Sequence, residues 1–167
     1  MHIPSSLREL LGGIREGQHI GHRFKDDGQL VEAACQYVAD GLRRGEAVIV
    51  VATATRWASL VGGLATMRGV DLVESVMKGQ LRSVDAEMAL ASVMVDGMPE
   101  KHRFMQLSED LIARARARFG AVRVFGEMGS ILSKSGNPAA ATRLEEFWKG
   151  LAGNLPFALL YPCHAEV

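Results

Sequence analysis

No charge of one sign dominates this chain. Across 167 residues, Lys+Arg and Asp+Glu number 19 each. A protein that lives on phosphate backbones carries a basic excess, so direct nucleic-acid binding is not expected. Cysteine is scarce: Cys35 and Cys163 are the whole supply. Two cysteines build no disulfide framework, and their spacing suggests no zinc site. Long apolar runs are missing as well. The longest, Ala47-Val48-Ile49-Val50-Val51-Ala52, is far short of the roughly 18 residues that argue for a membrane span. Residues 1–8 lack the basic-then-apolar layout of a signal peptide, so a cytoplasmic protein without a membrane anchor is expected. There is no G-x-x-x-x-G-K-[S/T] phosphate loop, no nucleophile elbow and no Ser-His-Asp pattern.

What the chain does have is an ordinary globular composition, 48% hydrophobic and 23% charged. Its length corresponds to about one domain, and at that size folding removes around 70% of the unfolded surface from water. Residues 18–24 read as a short first strand. Asp27 offers a helix cap, and Leu30, Val31, Ala34, Cys35, Val38 and Leu42 recur behind it at helical spacing. Residues 47–52 form an unbroken β-branched run, the mark of a strand covered on both faces. Thr55 is placed to cap a second helix with Trp57, Leu60, Val61 and Leu64 on one stripe. Residues 72–76 and 81–84 read as strands around Gly79. Asp85 caps a helix to about Met94, and Pro99 suits the first turn of the next. That helix carries Phe104, Leu107, Leu111, Ile112 and Ala115. A buried strand over 122–125, helices over 129–134 and 138–152, and a last strand over 155–161 complete the order.

Strands separated by 20 or so residues containing a helix are not hairpins, so the sheet should be mainly parallel. The expected fold is α/β, three layers with helices on both faces of the sheet. Ligands in such sheets bind at the carboxyl ends of the strands. Four places follow: residues 24–28, 53–56, 126–130 and 161–164.

The first turn, Lys25-Asp26-Asp27-Gly28, puts two carboxylates at the positive end of a helix, where they would repel a polyphosphate. Glu127 directly follows a buried strand. It could face the crevice and accept a ligand hydrogen bond, or cap or salt-bridge the following helix. Arg123 lies about 13 Å earlier along the strand, near the opposite end of the sheet, and reads as structural. His19 and His22 point to opposite faces of their strand and cannot chelate one metal. Cys163 and His164 could approach the crevice or equally belong to a frayed tail, and with no third ligand no zinc site is expected. Arg114, Arg116 and Arg118 read as a solvated helix end. Methionine is plentiful enough to make the core adaptable, or to line a pocket for a small apolar guest.

The order of the motifs resembles the MEDS family of sensory domains. The matching pieces are Gly17-Gln18-His19-Ile20 with Phe24 after it, and Gly41-Leu42-Arg43-Arg44-Gly45-Glu46 running into the strand at 47–52. Then come Gly79-Gln80-Leu81, Met94-Val95-Asp96-Gly97, Val122-Arg123-Val124-Phe125-Gly126-Glu127-Met128 and Leu144-Glu145-Glu146-Phe147-Trp148. The likeness runs over residues 17–161. It implies a RecA/KaiC-like P-loop NTPase fold that lacks Walker A, with Glu127 near the acidic residue of the Walker B strand. It divides the chain into a helical extension, 1–16, and a sensory domain, 17–167. One departure stands out. The family often carries a cysteine where this chain has Tyr161-Pro162, with Cys163 following.

The resemblance implies a non-catalytic sensor of small molecules, proposed to be simple hydrocarbon derivatives, in prokaryotic signalling. The ligand-binding candidates are Phe24, Lys25, Asp26, Asp27, Thr53, Glu127 and Tyr161. No cofactor is expected. The partners implied are a small-molecule ligand and a separate kinase, anti-sigma-type factor or DNA-binding regulator, and a homo-oligomer is open. The alternatives are a degenerate nucleotide hydrolase that uses Glu127 to orient water, or an interaction module.

Overall fold

The computed structural model describes residues 3–163. His164, one of the residues singled out above, lies outside the described residues. Helix α1 (Ser5–Gly12) comes first, followed by β1 (His19–His22), α2 (Asp27–Arg43), β2 (Ala47–Ala52), α3 (Ala54–Leu64), α4 (Leu72–Met77) and β3 (Leu81–Asp85). Then come α5 (Ala86–Val93), a hairpin of β4 (Met94–Val95) and β5 (Met98–Pro99), and α6 (Lys101–Phe119). The chain continues through β6 (Val122–Gly126), α7 (Met128–Lys134), α8 (Pro138–Asn154) and β7 (Ala158–Pro162). Among the described residues, no helix is long and apolar enough to cross a membrane.

Five strands form one parallel sheet in the order β1-β7-β6-β2-β3. Alternation along each strand sends side chains into two separate cores. Val48, Val50 and Ala52 join Phe125 and Leu160 beneath α1, α2 and α3. Ile49 and Val51 join Val124 and Leu159 beneath α5, α6, α7 and α8. The three-layer α/β expectation therefore holds, and every residue of β2 and of β6 is buried. Helix α1 is part of the first core: Ile3, Leu7, Leu11 and Ile14 are buried in it.

Several local expectations are corrected. Residues 72–76 are helical. Asp71 accepts from the Glu74 N–H at 3.0 Å, and the D-x-x-E capping spacing outweighs the strand propensity of Val73 and Val76. Pro99 opens no helix. It ends a two-residue hairpin whose turn residues, Asp96 (φ 51°) and Gly97 (φ 82°), both take the left-handed conformation of a type I′ turn. The helix after it is capped by Glu100, whose side chain accepts from the N–H groups of His102 and Arg103. Asp26, not Asp27, caps α2, accepting from the Gln29 N–H at 2.8 Å. Thr53, not Thr55, caps α3 through its hydroxyl and the Arg56 N–H at 3.1 Å. The first and last strands are shorter than read, pairing over 19–22 and 159–162, although Gln18 still accepts from the Leu159 N–H at 2.9 Å.

At the amino end of the sheet Arg123 is 1% exposed. Its Nε donates to Glu46 at 2.9 Å and a terminal nitrogen donates to the Tyr37 carbonyl at 2.9 Å. The guanidinium also lies 4.7 Å from the Tyr37 ring centroid. Arg123 passes so close to Gly41 that a Cβ there would stand 2.5 Å from its Cδ. The structural reading of Arg123 is borne out. The basic helix end is less solvated than expected. Arg114 does pair with Asp110 at 2.9 Å in the open, but Arg116 pairs with Glu16 and Arg118 donates to the Lys78 carbonyl at 2.8 Å.

Candidate functional site

From β2 the chain leaves into one layer through α3, and from β6 it leaves into the other through α7. These strands are neighbours, so the crevice expected at a topological switch point opens between residues 52–53 and 126–127. The protein fills that crevice with its own side chains. Glu127, 4% exposed, accepts from the Thr53 backbone N–H at 2.7 Å and from the Arg56 Nε at 3.2 Å. Arg56 reaches on to Asp27, at 3.3 Å. Glu127 makes no cap bond to its own helix. The salt bridge it does make runs to α3 rather than to the following helix. Its carboxylate enters burial because two donors meet it there, one on each oxygen.

The open space lies beside this triad. A cleft of about 360 Å³ is lined by Arg23, Phe24, Asp26, Asp27, Leu30 and Ser130, with Lys134, Pro162 and Cys163 closing it. It sits past the ends of β1 and β7, between the start of α2 and the body of α7. The volume falls within the range of small-molecule sites. Phe24 packs on the first core and stacks edge-on against His22, ring centroids 4.8 Å apart.

Of the residues put forward from the sequence, Phe24, Asp26 and Asp27 line this cleft. Thr53 and Glu127 stand together at the plugged crevice instead. The exposed Lys25 lines neither; its N–H donates to the Gln29 side chain at 2.8 Å. Tyr161 turns towards the second core, where its hydroxyl donates to Glu145 on α8. Cys163 reaches the cleft wall, the first of the two alternatives left open for it. Burial, and then the nearby Glu145, raise its thiol pKa, while Arg23 acts in the opposite direction. Burial and Glu145 likewise hold the Tyr161 phenol protonated well above its ordinary range. Ser130 and Pro162 fall within the expected stretches 126–130 and 161–164, whereas Arg23, Leu30 and Lys134 were not anticipated in the cleft. The cations carried no periodic or motif signal, and Leu30 read as part of the core stripe of its helix.

His19 stacks on Phe157 at 4.8 Å between ring centroids. Burial lowers its pKa, with a backbone hydrogen bond at Phe157 opposing and Lys149 adding to the drop. Cys35 is buried and its Sγ donates to the Leu60 carbonyl at 3.6 Å. Burial, then Glu32, pushes that thiol up to about 11. A second void, about 20 Å³, lies among Ile49, Val51, Leu111, Met128 and Trp148. It is wholly apolar and of about one water's size, too small for an organic guest. Met77 and Met88 face solvent, at 81% and 73% exposure, so the methionines form no common pocket. Among the described residues no group of three His, Cys, Asp or Glu is placed to hold a metal ion.

No curated protein matches the chain. A family model does, over residues 18–167, and its description is MEthanogen/methylotroph, DcmR Sensory domain. That match takes in every strand of the parallel sheet, both ends of the cleft wall and the Glu127–Arg56–Asp27 triad. The chain belongs to the MEDS family of sensory domains.

Proposed function

We propose that this protein is a non-catalytic sensor that binds a small molecule in the cleft between α2 and α7 and signals to a separate prokaryotic regulatory protein. The observation that carries this reading is the cleft itself, which lies at the carboxyl ends of β1 and β7 and is lined by Phe24 and Leu30 together with charged groups. Family membership supports a sensory role, and the resemblance favours ligands among simple hydrocarbon derivatives. The chemistry of the wall supports the non-catalytic part. Cys163 is held as a thiol, and both Glu127 oxygens are engaged by donors from α3. A hydrolase would need that carboxylate to orient water. The acidic start of α2 fits a RecA/KaiC-like ancestry in which the phosphate loop has been lost, and a cytoplasmic site of action follows from the same reading.

Thermal shift against small alcohols, amines, haloalkanes and carboxylates tests the proposal. A ligand at a hundred times its dissociation constant adds about 2.7 kcal/mol, which raises the midpoint of a domain this size by about 5–10 °C. The shift should shrink in Phe24→Ala. A uniform absence of shifts, or ATP turnover that Glu127→Gln abolishes, would overturn the reading.

A further inference from the structure

The cleft wall carries charges of both signs, and they differ in how they are used. Asp26 and Asp27 each engage one carboxylate oxygen, Oδ1, with the Gln29 N–H and with Arg56 respectively. The second oxygen of each has no partner among the described residues. Arg23 and Lys134 have neither an ion pair nor a side-chain hydrogen bond among the described residues. Phe24, Leu30 and Pro162 supply apolar surface in the same lining. A purely anionic guest would meet the two aspartates, and a purely cationic one the two bases, each at an electrostatic cost. A neutral guest would leave both sets unused.

Resting on the sensory reading above, we infer that the cleft selects a zwitterion: a small amino acid or like molecule with a carboxylate for Arg23 and Lys134, an ammonium for Asp26 and Asp27, and a short apolar body against Phe24. A carboxylate meets the Arg23 fork in charge-assisted hydrogen bonds. An ammonium beside the Phe24 face adds attraction from the ring. Arg23 and Lys134 are exposed, so replacing them leaves the two cores untouched.

The test is calorimetry and thermal shift on the full chain with straight-chain ω-amino acids of two to six carbons. Each is matched to the carboxylic acid, the amine and the alcohol of the same length. The expected result is one optimal length at which the zwitterion binds at least tenfold more tightly than its three analogues. That preference should shrink in 0.5 M salt. In Arg23→Gln/Lys134→Gln the zwitterion should lose its advantage over the amine, which, relieved of the two cations, binds at least as tightly as before. An alcohol, acid or amine that binds as tightly as its zwitterion overturns the inference and leaves the sensory reading standing. A preference that survives the double substitution overturns it too. If no probe of any class binds, both fall.

Discussion

Arg56 holds two carboxylates with one guanidinium, and the two sit in different surroundings. Its contact with Glu127 is buried at both ends, whereas Asp27 presents a side chain 82% exposed. A charge-assisted bond between buried partners matters far more than one screened by water. Arg56→Ala should therefore destabilise by about 2–3 kcal/mol, because one Glu127 oxygen loses its donor while the Thr53 N–H keeps the other. Asp27→Asn should cost no more than about 0.5 kcal/mol. In a double-mutant cycle, Arg56→Ala with Glu127→Gln should cost at least about 1 kcal/mol less than the sum of the single losses. Urea unfolding of the four variants measures this. Additive losses would show that the pair is uncoupled. The presence of a carboxylate at 127 beside the crevice was legible from the strand that precedes it. Its partner was not, because Arg56 lies 71 residues away in sequence and an arginine on a helix carries no pattern that says which strand end it will reach.

At the scale of elements, the strands and long helices follow from simple patterns. The unbroken β-branched run of β2 can be satisfied only by cover on both faces, and the stripe of α6 repeats at steps of three and four. The misread pieces are the short ones, α4 and the β4–β5 hairpin, where two or three residues of turn or cap chemistry decide the outcome. In the hairpin Asp96-Gly97 supplies both left-handed positions, and the Asn137 side chain donates to the Gly97 carbonyl at 2.8 Å, tying the turn to the start of α8. Gly97→Ala meets no neighbouring atom, so its cost is the backbone conformation alone, about 1–2 kcal/mol. A lower urea midpoint with an unchanged slope is the expected signature. A wild-type midpoint would mean that the turn relaxes freely.

For the molecule as a whole, the family match begins at residue 18, while the packed core begins earlier. Leu11 is fully buried beneath α2 and belongs to the cluster that includes Val48 and Leu160. Leu11→Ala should cost about 3 kcal/mol through lost contact and the cavity left behind, lowering the melting midpoint by about 6–12 °C. Calorimetry on the full chain checks it. A drop under about 2 °C would show that α1 rests loosely on the domain. The cleft, by contrast, was only half foreseeable. The rule that ligands gather at strand ends located Phe24, Asp26 and Asp27. Lys134 joins them only once the fold brings α7 beside the start of α2, and Arg23, though next to Phe24 in the chain, carried no pattern that marked it.

The clamp around Arg123 has a mechanical consequence. It ties β6 to the middle of α2 and to Glu46, the residue entering β2, at the end of the sheet farthest from the cleft. Both helices whose first turns carry Asp27 and Arg56 are joined to strands that are fixed there. The sheet is thus pinned at one rim by Arg123 and at the other by the bonds of Glu127 to Thr53 and Arg56. An occupant that draws Asp27 away from Arg56 therefore opens the exposed half of the second pin and leaves its buried half, Arg56 on Glu127, in place.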